Sequence, residues 1–173
     1  VWLSALERYG VRALSKELLA EFWLSHITGP WNEYSFCHVN ITNGLYPPLS
    51  GSCNIQYQWS NGAWIRSEIW ACICPGAPDE AIRYAYMDSC ADHSGEGIYA
   101  EMFTAALQSA AFVVSDIREL IKIALSKIPD DCRIARSIKL ACSCYDSGKS
   151  WHETREKLVA DSADLGWFQA PAN

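Results

Sequence analysis

APDEAIRYAYMDSCADHSGEGIYAEMFTAALQSAAFV, residues 77–113, is the stretch on which the reading of this chain turns. Two helices are predicted in it, joined by the polar loop Asp92-His93-Ser94-Gly95-Glu96-Gly97. Pro78 stands at the first helix start, where a missing amide proton costs nothing, and the charges of Asp79 and Glu80 suit the positive end of the helix dipole. Ile82, Ala85, Tyr86 and Ser89 recur at helical spacing and set His93 at the end of the same inward face. The second helix, from about Ile98, interleaves Ala100, Ala105, Ala106, Ser109, Ala110 and Ala111 with Met102, Phe103, Leu107 and Phe112. So many small side chains let helix backbones approach closely, and this pair is the expected centre of a helical domain. His93 is then either a capping or satisfied buried imidazole, or a functional group held between two core helices.

Working outward, the same logic gives further helices on both sides. Trp2, Leu6 and Tyr9 share a face that Gly10 ends. Ser15 caps a helix whose Leu18, Leu19, Phe22 and Trp23 turn inward, with His26 near its end. Residues 31–43 are compatible with a third helix, in which His38 is structural. Residues 45–60 lack helical period, and Pro47-Pro48, Gly51 and a cluster of Ser, Asn and Gln mark an ordered loop. Asn61-Gly62-Ala63-Trp64-Ile65-Arg66 then opens a buried helix carrying Ile65, Ile69 and Ile73. Beyond the central pair, Ser115 is expected to cap a helix stopped by Pro129, and Ile134, Ile138 and Leu140 anchor another that ends at Gly148. Ser150 and Glu153 form a capping-box pattern for the last. With no sustained period-two alternation, the class is all-α: a compact multi-helix domain of about eight helices without internal repeat.

At 173 residues, half of them hydrophobic, the chain suits one domain with a real core. A net charge of −6 without a basic run argues against a nucleic-acid partner. No signal peptide or membrane span is visible, which leads to the expectation of a cytoplasmic protein with no membrane partner. The eight cysteines are read as reduced, mostly buried small side chains, because the two-residue spacings Cys72/Cys74 and Cys142/Cys144 point sulfurs to opposite sides of a helix. In a cytoplasmic chain the Asn40-Ile41-Thr42 triplet carries no glycan. The sequence opens on Val1 inside an apolar helical pattern and stops on Ala170-Pro171-Ala172-Asn173, the pattern of a segment cut from a longer protein.

Chemistry concentrates at two places. Asn61, read as an N-cap, leaves the amides of Gly62, Ala63 and Trp64 at the positive end of a helix, where an anion can bind and Gly62 admits a phosphate close to the backbone. Arg66, one turn along, either adds a fixed positive charge to that site or belongs to an internal ion pair. Trp59 and Trp64 flank the turn as candidate ligand contacts, whereas Trp2, Trp23 and Trp70 fall at core spacing. Asp88 and Asp92 are placed to orient His93. No pair of carboxylates stands out as catalytic.

The chain resembles the ADP-ribosylglycohydrolase family. The likeness is carried by Gly44-Leu45-Tyr46-Pro47-Pro48-Leu49-Ser50-Gly51, by Ser60-Asn61-Gly62-Ala63-Trp64-Ile65-Arg66 with Ser67-Glu68-Ile69-Trp70, by residues 88–99 with Asp92-His93-Ser94-Gly95 and Gly97-Ile98-Tyr99, and by residues 105–129. The resemblance implies a compact orthogonal all-α fold around two magnesium ions, which releases ADP-ribose from a modified protein side chain or small molecule. It also implies that Ser60, Asn61, Gly62, Ala63 and Trp64 form the loop against the diphosphate and distal ribose, and that His93 lies near the substrate's ribose. The family's Thr-Asp-Asp and Asp-x-Asp-Thr metal motifs do not occur here, so no metal ligand and no catalytic residue is assigned. Residues 1–173 are therefore expected to be the central part of one such domain, truncated at both ends and inert when isolated. The alternative is a catalytically inactive member that binds ADP-ribose or serves a structural, crystallin-like role.

Overall fold

The computed structural model describes residues 1–29, 31–53 and 56–173. Along the chain these form α1 (Trp2–Tyr9), α2 (Lys16–His26), α3 (Asn32–Thr42), the short α4 (Leu49–Ser52), α5 (Glu68–Ile73), α6 (Pro78–Ser89), α7 (Glu96–Ala110), α8 (Ile117–Leu125), α9 (Arg133–Asp146) and α10 (Trp151–Asp161). Single 3-10 turns occupy Val11–Ala13, Trp64–Arg66 and Ala170–Ala172. The fold is all-α, with only an isolated bridge between Ser60 and Gln169 among the described residues. None of the helices described is long and apolar enough to cross a membrane.

α7 is the axis of the assembly, packing on α5, α6, α8, α9 and both nearby 3-10 turns. Its inward positions explain the choice: Ala105, Ala106 and Ala110 on α7 and Ala81 and Ala85 on α6 are all buried, and such small side chains let the two helices pack closely. On one side, α1, α2, α3, α5 and α6 enclose a core built on indoles. Trp2 lies 5.7 Å from Trp23 and 6.2 Å from Trp70, ring centre to ring centre. Truncating any of these rings costs about 3–5 kcal/mol. On the other side, Ala100, Ile128, Cys132, Ile134, Ala135 and Ala170 form a smaller core under α9.

Capping residues set most of the boundaries. Ser15 Oγ accepts from the Leu18 amide at 3.2 Å, and Ser150 with Glu153 completes the capping box at α10. At α8 the cap is Asp116, not the expected Ser115: its Oδ1 accepts from the Glu119 amide at 2.8 Å. α7 begins two residues earlier than Ile98, at Glu96, after Gly95 takes a positive φ of 48°. The buried Glu96 carboxylate then accepts from the amides of Arg133 and Ile134, both at 2.9 Å, and so caps the N-terminus of α9 from a different helix. All eight cysteines are free; Cys37, Cys74, Cys90, Cys132 and Cys144 are buried, while Cys53 and Cys72 are exposed. Asn40 lies in α3 and donates to the Ser50 carbonyl at 2.8 Å.

Candidate functional site

The Ser60–Trp64 turn is not the start of a long helix. It leads into a single 3-10 turn, Trp64–Arg66, and the six-residue α5 follows with Ser67 at its cap position, so Asn61 does not cap α5. The turn is fixed instead by strand-like pairing with the C-terminal stretch. Asn61 donates its amide to the Phe168 carbonyl at 2.9 Å, and Ala170 donates to the Trp59 carbonyl at 2.7 Å. Ser60, Gly62 and Ala63 are buried, and Asn61 and Trp64 are half-buried.

His93 reaches the same place from the other end of the sequence. Its amide donates to the Ser89 carbonyl at 2.8 Å, which carries the turn of α6 past Ser89 and brings the ring inward. Nδ1 lies 2.7 Å from Asp92 Oδ1 and Nε2 lies 2.9 Å from Ser60 Oγ. An ionised Asp92 can only accept, so Nδ1 carries a proton and donates to it, and in the neutral ring this tautomer leaves Nε2 to accept from the Ser60 hydroxyl. Burial alone would raise the Asp92 carboxyl, but Arg66 and then His93 outweigh it and hold it well below the usual carboxylate range.

Arg66 ties these groups together. Its Nη1 and Nη2 donate to Asp92 at 2.9 and 2.7 Å, and its Nε donates to the two Asp88 oxygens at 3.1 and 3.2 Å. Nη1 also reaches the Gly62 carbonyl at 3.4 Å, and the guanidinium sits 5.1 Å from the centre of the Trp23 ring. Trp70 Nε1 donates to Asp88 at 2.9 Å. Of the two readings left open by the sequence, the internal ion pair holds, and the charge of Arg66 is consumed by two fully buried aspartates. The two share one cation unequally. Asp88 has burial as its largest influence, only partly offset by Arg66, and its carboxyl is raised.

Ser60, His93 and Asp92 thus stand in the order of a hydrolytic triad, and burial decides against that role. His93 is wholly inaccessible and Ser60 is 2 % exposed, so no substrate reaches the hydroxyl. The two side chains bond directly, with no hollow between them. Neighbouring glycines seal the contact: a Cβ on Gly51 would meet the His93 carbonyl at 2.2 Å, and one on Gly97 would meet the His93 ring at 2.7 Å. On Gly62, a Cβ would fall 1.7 Å from Oε1 of Glu33, so a carboxylate of the protein lies where the sequence suggested an anion would approach. A ligand must therefore meet the turn from the side of Asn61 and Trp64. Trp64 also lines an apolar cavity of about 300 Å³ with Ala100, Phe103, Ile134, Ile138 and Pro171.

Two participants escape the sequence-based assignment. Glu33 is buried in line with Cys37 and Ile41 on α3, and Glu101 is wholly buried in line with Ile98 and Ala105 on α7. An acid at helical spacing with core residues is the signal in both cases.

The family model for ADP-ribosylglycohydrolase matches residues 2–172. The chain belongs to the ADP-ribosylglycohydrolase family. Comparison with curated proteins and with solved structures gives no match. Membership accounts for the all-α fold and sets the chemistry at the level of a glycohydrolase. The two magnesium ions implied by the resemblance do not fit the described residues. Among these, no group of three or more His, Cys, Asp and Glu side chains could hold a metal, and Asp88 and Asp92 already serve Arg66, Trp70 and His93.

Proposed function

We propose that this chain belongs to the ADP-ribose-recognising part of a hydrolase that cleaves the glycosidic bond between ADP-ribose and a protein side chain or small molecule. The observation that carries the reading is the family match over residues 2–172. The chain's own contribution is positional. Arg66, Asp92 and His93 hold the Ser60-Asn61-Gly62-Ala63-Trp64 turn from behind, leaving the half-buried Asn61 side-chain carboxamide and Trp64 indole to meet the nucleotide. In this reading His93 sets the ribose side of the site through Ser60. Magnesium is held by groups other than those described. The partner is ADP-ribose or an ADP-ribosylated protein in the cytoplasm, with neither nucleic acid nor membrane involved, in keeping with the net charge of −6.

Calorimetric titration with ADP-ribose tests this. Saturable binding that Asn61→Ala weakens at least tenfold supports it, and no binding by the wild-type chain overturns it. Because the described residues hold no metal cluster, a second reading is a member that binds without turnover. Mass-spectrometric detection of ADP-ribose released from a modified peptide separates the two.

A further inference from the structure

Glu101, on the face of α7 turned toward α6, is fully buried, and among the described residues neither carboxylate oxygen has a hydrogen-bond donor within reach. A buried ionised carboxylate without a donor is among the costliest arrangements a fold can contain. The aspartates facing it make ionisation harder still, and Arg66 offsets them only in part. From α6 and the turn after it come Asp88, Asp92 and the thiol of Cys90, and from the 3-10 turn comes Arg66, whose guanidinium hydrogens already go to Asp88, Asp92 and the Gly62 carbonyl. One cation thus stands among three buried carboxyl groups.

The arrangement resolves if Glu101 keeps its proton. A neutral acid has an O–H to donate, and Asp88, which faces Glu101, is an acceptor. Burial first, and the facing Asp88 second, push the Glu101 carboxyl well above the ordinary range. Asp88 remains an anion and continues to accept from Arg66 and Trp70. The chain of contacts then runs without a gap from α7 to the turn: Glu101 to Asp88, Asp88 to Arg66, and Arg66 to the Gly62 carbonyl.

We propose that Glu101 is a positioning residue, a neutral carboxylic acid at neutral pH whose proton bridges to Asp88 and thereby holds Arg66 and the Ser60–Trp64 turn in place. Loss of that proton puts two anions face to face, pulls Arg66 toward them and loosens its hold on Gly62. Alkaline pH therefore releases the turn from behind. The fold and the proton stand independently of the ADP-ribose reading; only the effect on ligand affinity rests on it.

Glu101→Gln keeps the shape and supplies an N–H donor in place of the O–H but cannot ionise, so the test compares its pH profile with that of the wild type. Unfolded Glu titrates near 4.5, and with the folded value raised the wild type loses stability progressively as pH climbs from there. The Tm advantage of Glu101→Gln is expected to widen by several degrees between about pH 5 and about pH 9, and amide exchange over residues 60–66 is expected to stay protected in the variant where it rises in the wild type. A Tm difference that stays constant with pH, or exchange that responds identically in both, overturns the proposal. If the variant does not fold, isotope-edited infrared spectroscopy of wild-type chain labelled with 13C-glutamate decides: a protonated buried carboxyl at neutral pH supports it, and only ionised carboxylates overturn it. A flattened melting profile in a protein that binds no ADP-ribose leaves the proton in place and removes the ligand reading alone.

Discussion

The hydroxyl of Ser60 lies 2.9 Å from Nε2 of His93, joining segments 33 residues apart in the only polar link between the turn and the imidazole among the described side-chain hydrogen bonds. The imidazole is held on its other side by Asp92 at 2.7 Å, so the two partners lose unequally when either is cut. Ser60→Ala removes one neutral hydrogen bond and is expected to cost about 1 kcal/mol. His93→Ala leaves Asp92 and Ser60 short of partners and opens a cavity, and is expected to cost about 3–5 kcal/mol. Urea unfolding of the two variants checks the order, and equal losses would contradict it.

Arg66 pairs with two aspartates that water does not reach. Arg66→Met strands both charges, with an expected loss of about 3–5 kcal/mol. Adding Asp88→Asn to that variant should restore part of the loss, because it removes one of the stranded charges. Denaturant midpoints for the single and double variants measure the recovery, and strict additivity would show that the groups are independent.

The acid limb of the stability profile should belong largely to Asp92. Its carboxyl is held below the unfolded value of 3.8, so the unfolded chain takes up a proton before the folded one does. The stabilisation from this group is complete above that value and drains away as pH falls through the folded one. Tm recorded from about pH 7 to about pH 2 should drop more steeply in the wild type than in Asp92→Asn, which starts lower and stays flatter.

Gly51 on α4 allows the closest backbone approach in the site, with the space for a Cβ taken by the His93 carbonyl at 2.2 Å. Gly51→Ala must displace the loop that carries His93, at an expected cost of about 1–3 kcal/mol or more. Gly10→Ala has open space around it and only its backbone against it, a φ of 72° with ψ of 161°, with an expected cost of about 1–3 kcal/mol. Thermal melts of the pair separate crowding from backbone preference.

Much of this arrangement is legible in the amino-acid sequence, and the parts that are not share a common cause. The α6–α7 pair, its small-residue seam and the capping box at α10 follow from spacing and from groups close together in the chain. The convergence of His93 with Ser60 follows from the family resemblance, since nothing local to either residue demands it. At Gly62 the sequence shows only what resembles a helix N-terminus, whereas Glu33, brought in by α3, occupies the space beside it. Glu96 is legible as a first-turn acid of α7 but not as the cap of α9, whose amides lie far along the chain. Local rules find the helices; the charged interior depends on which helix meets which.

The pairing of Trp59 and Asn61 with Phe168 and Ala170 has a consequence for how the molecule is made. During synthesis the Trp59–Asn61 turn leaves the ribosome long before the residues that clasp it, so the helices between them can form while this turn is still unfastened. Closure waits for residues 168–170, and a nascent chain that has not yet reached them lacks both the clasp on this turn and the Ala170 side of the smaller core.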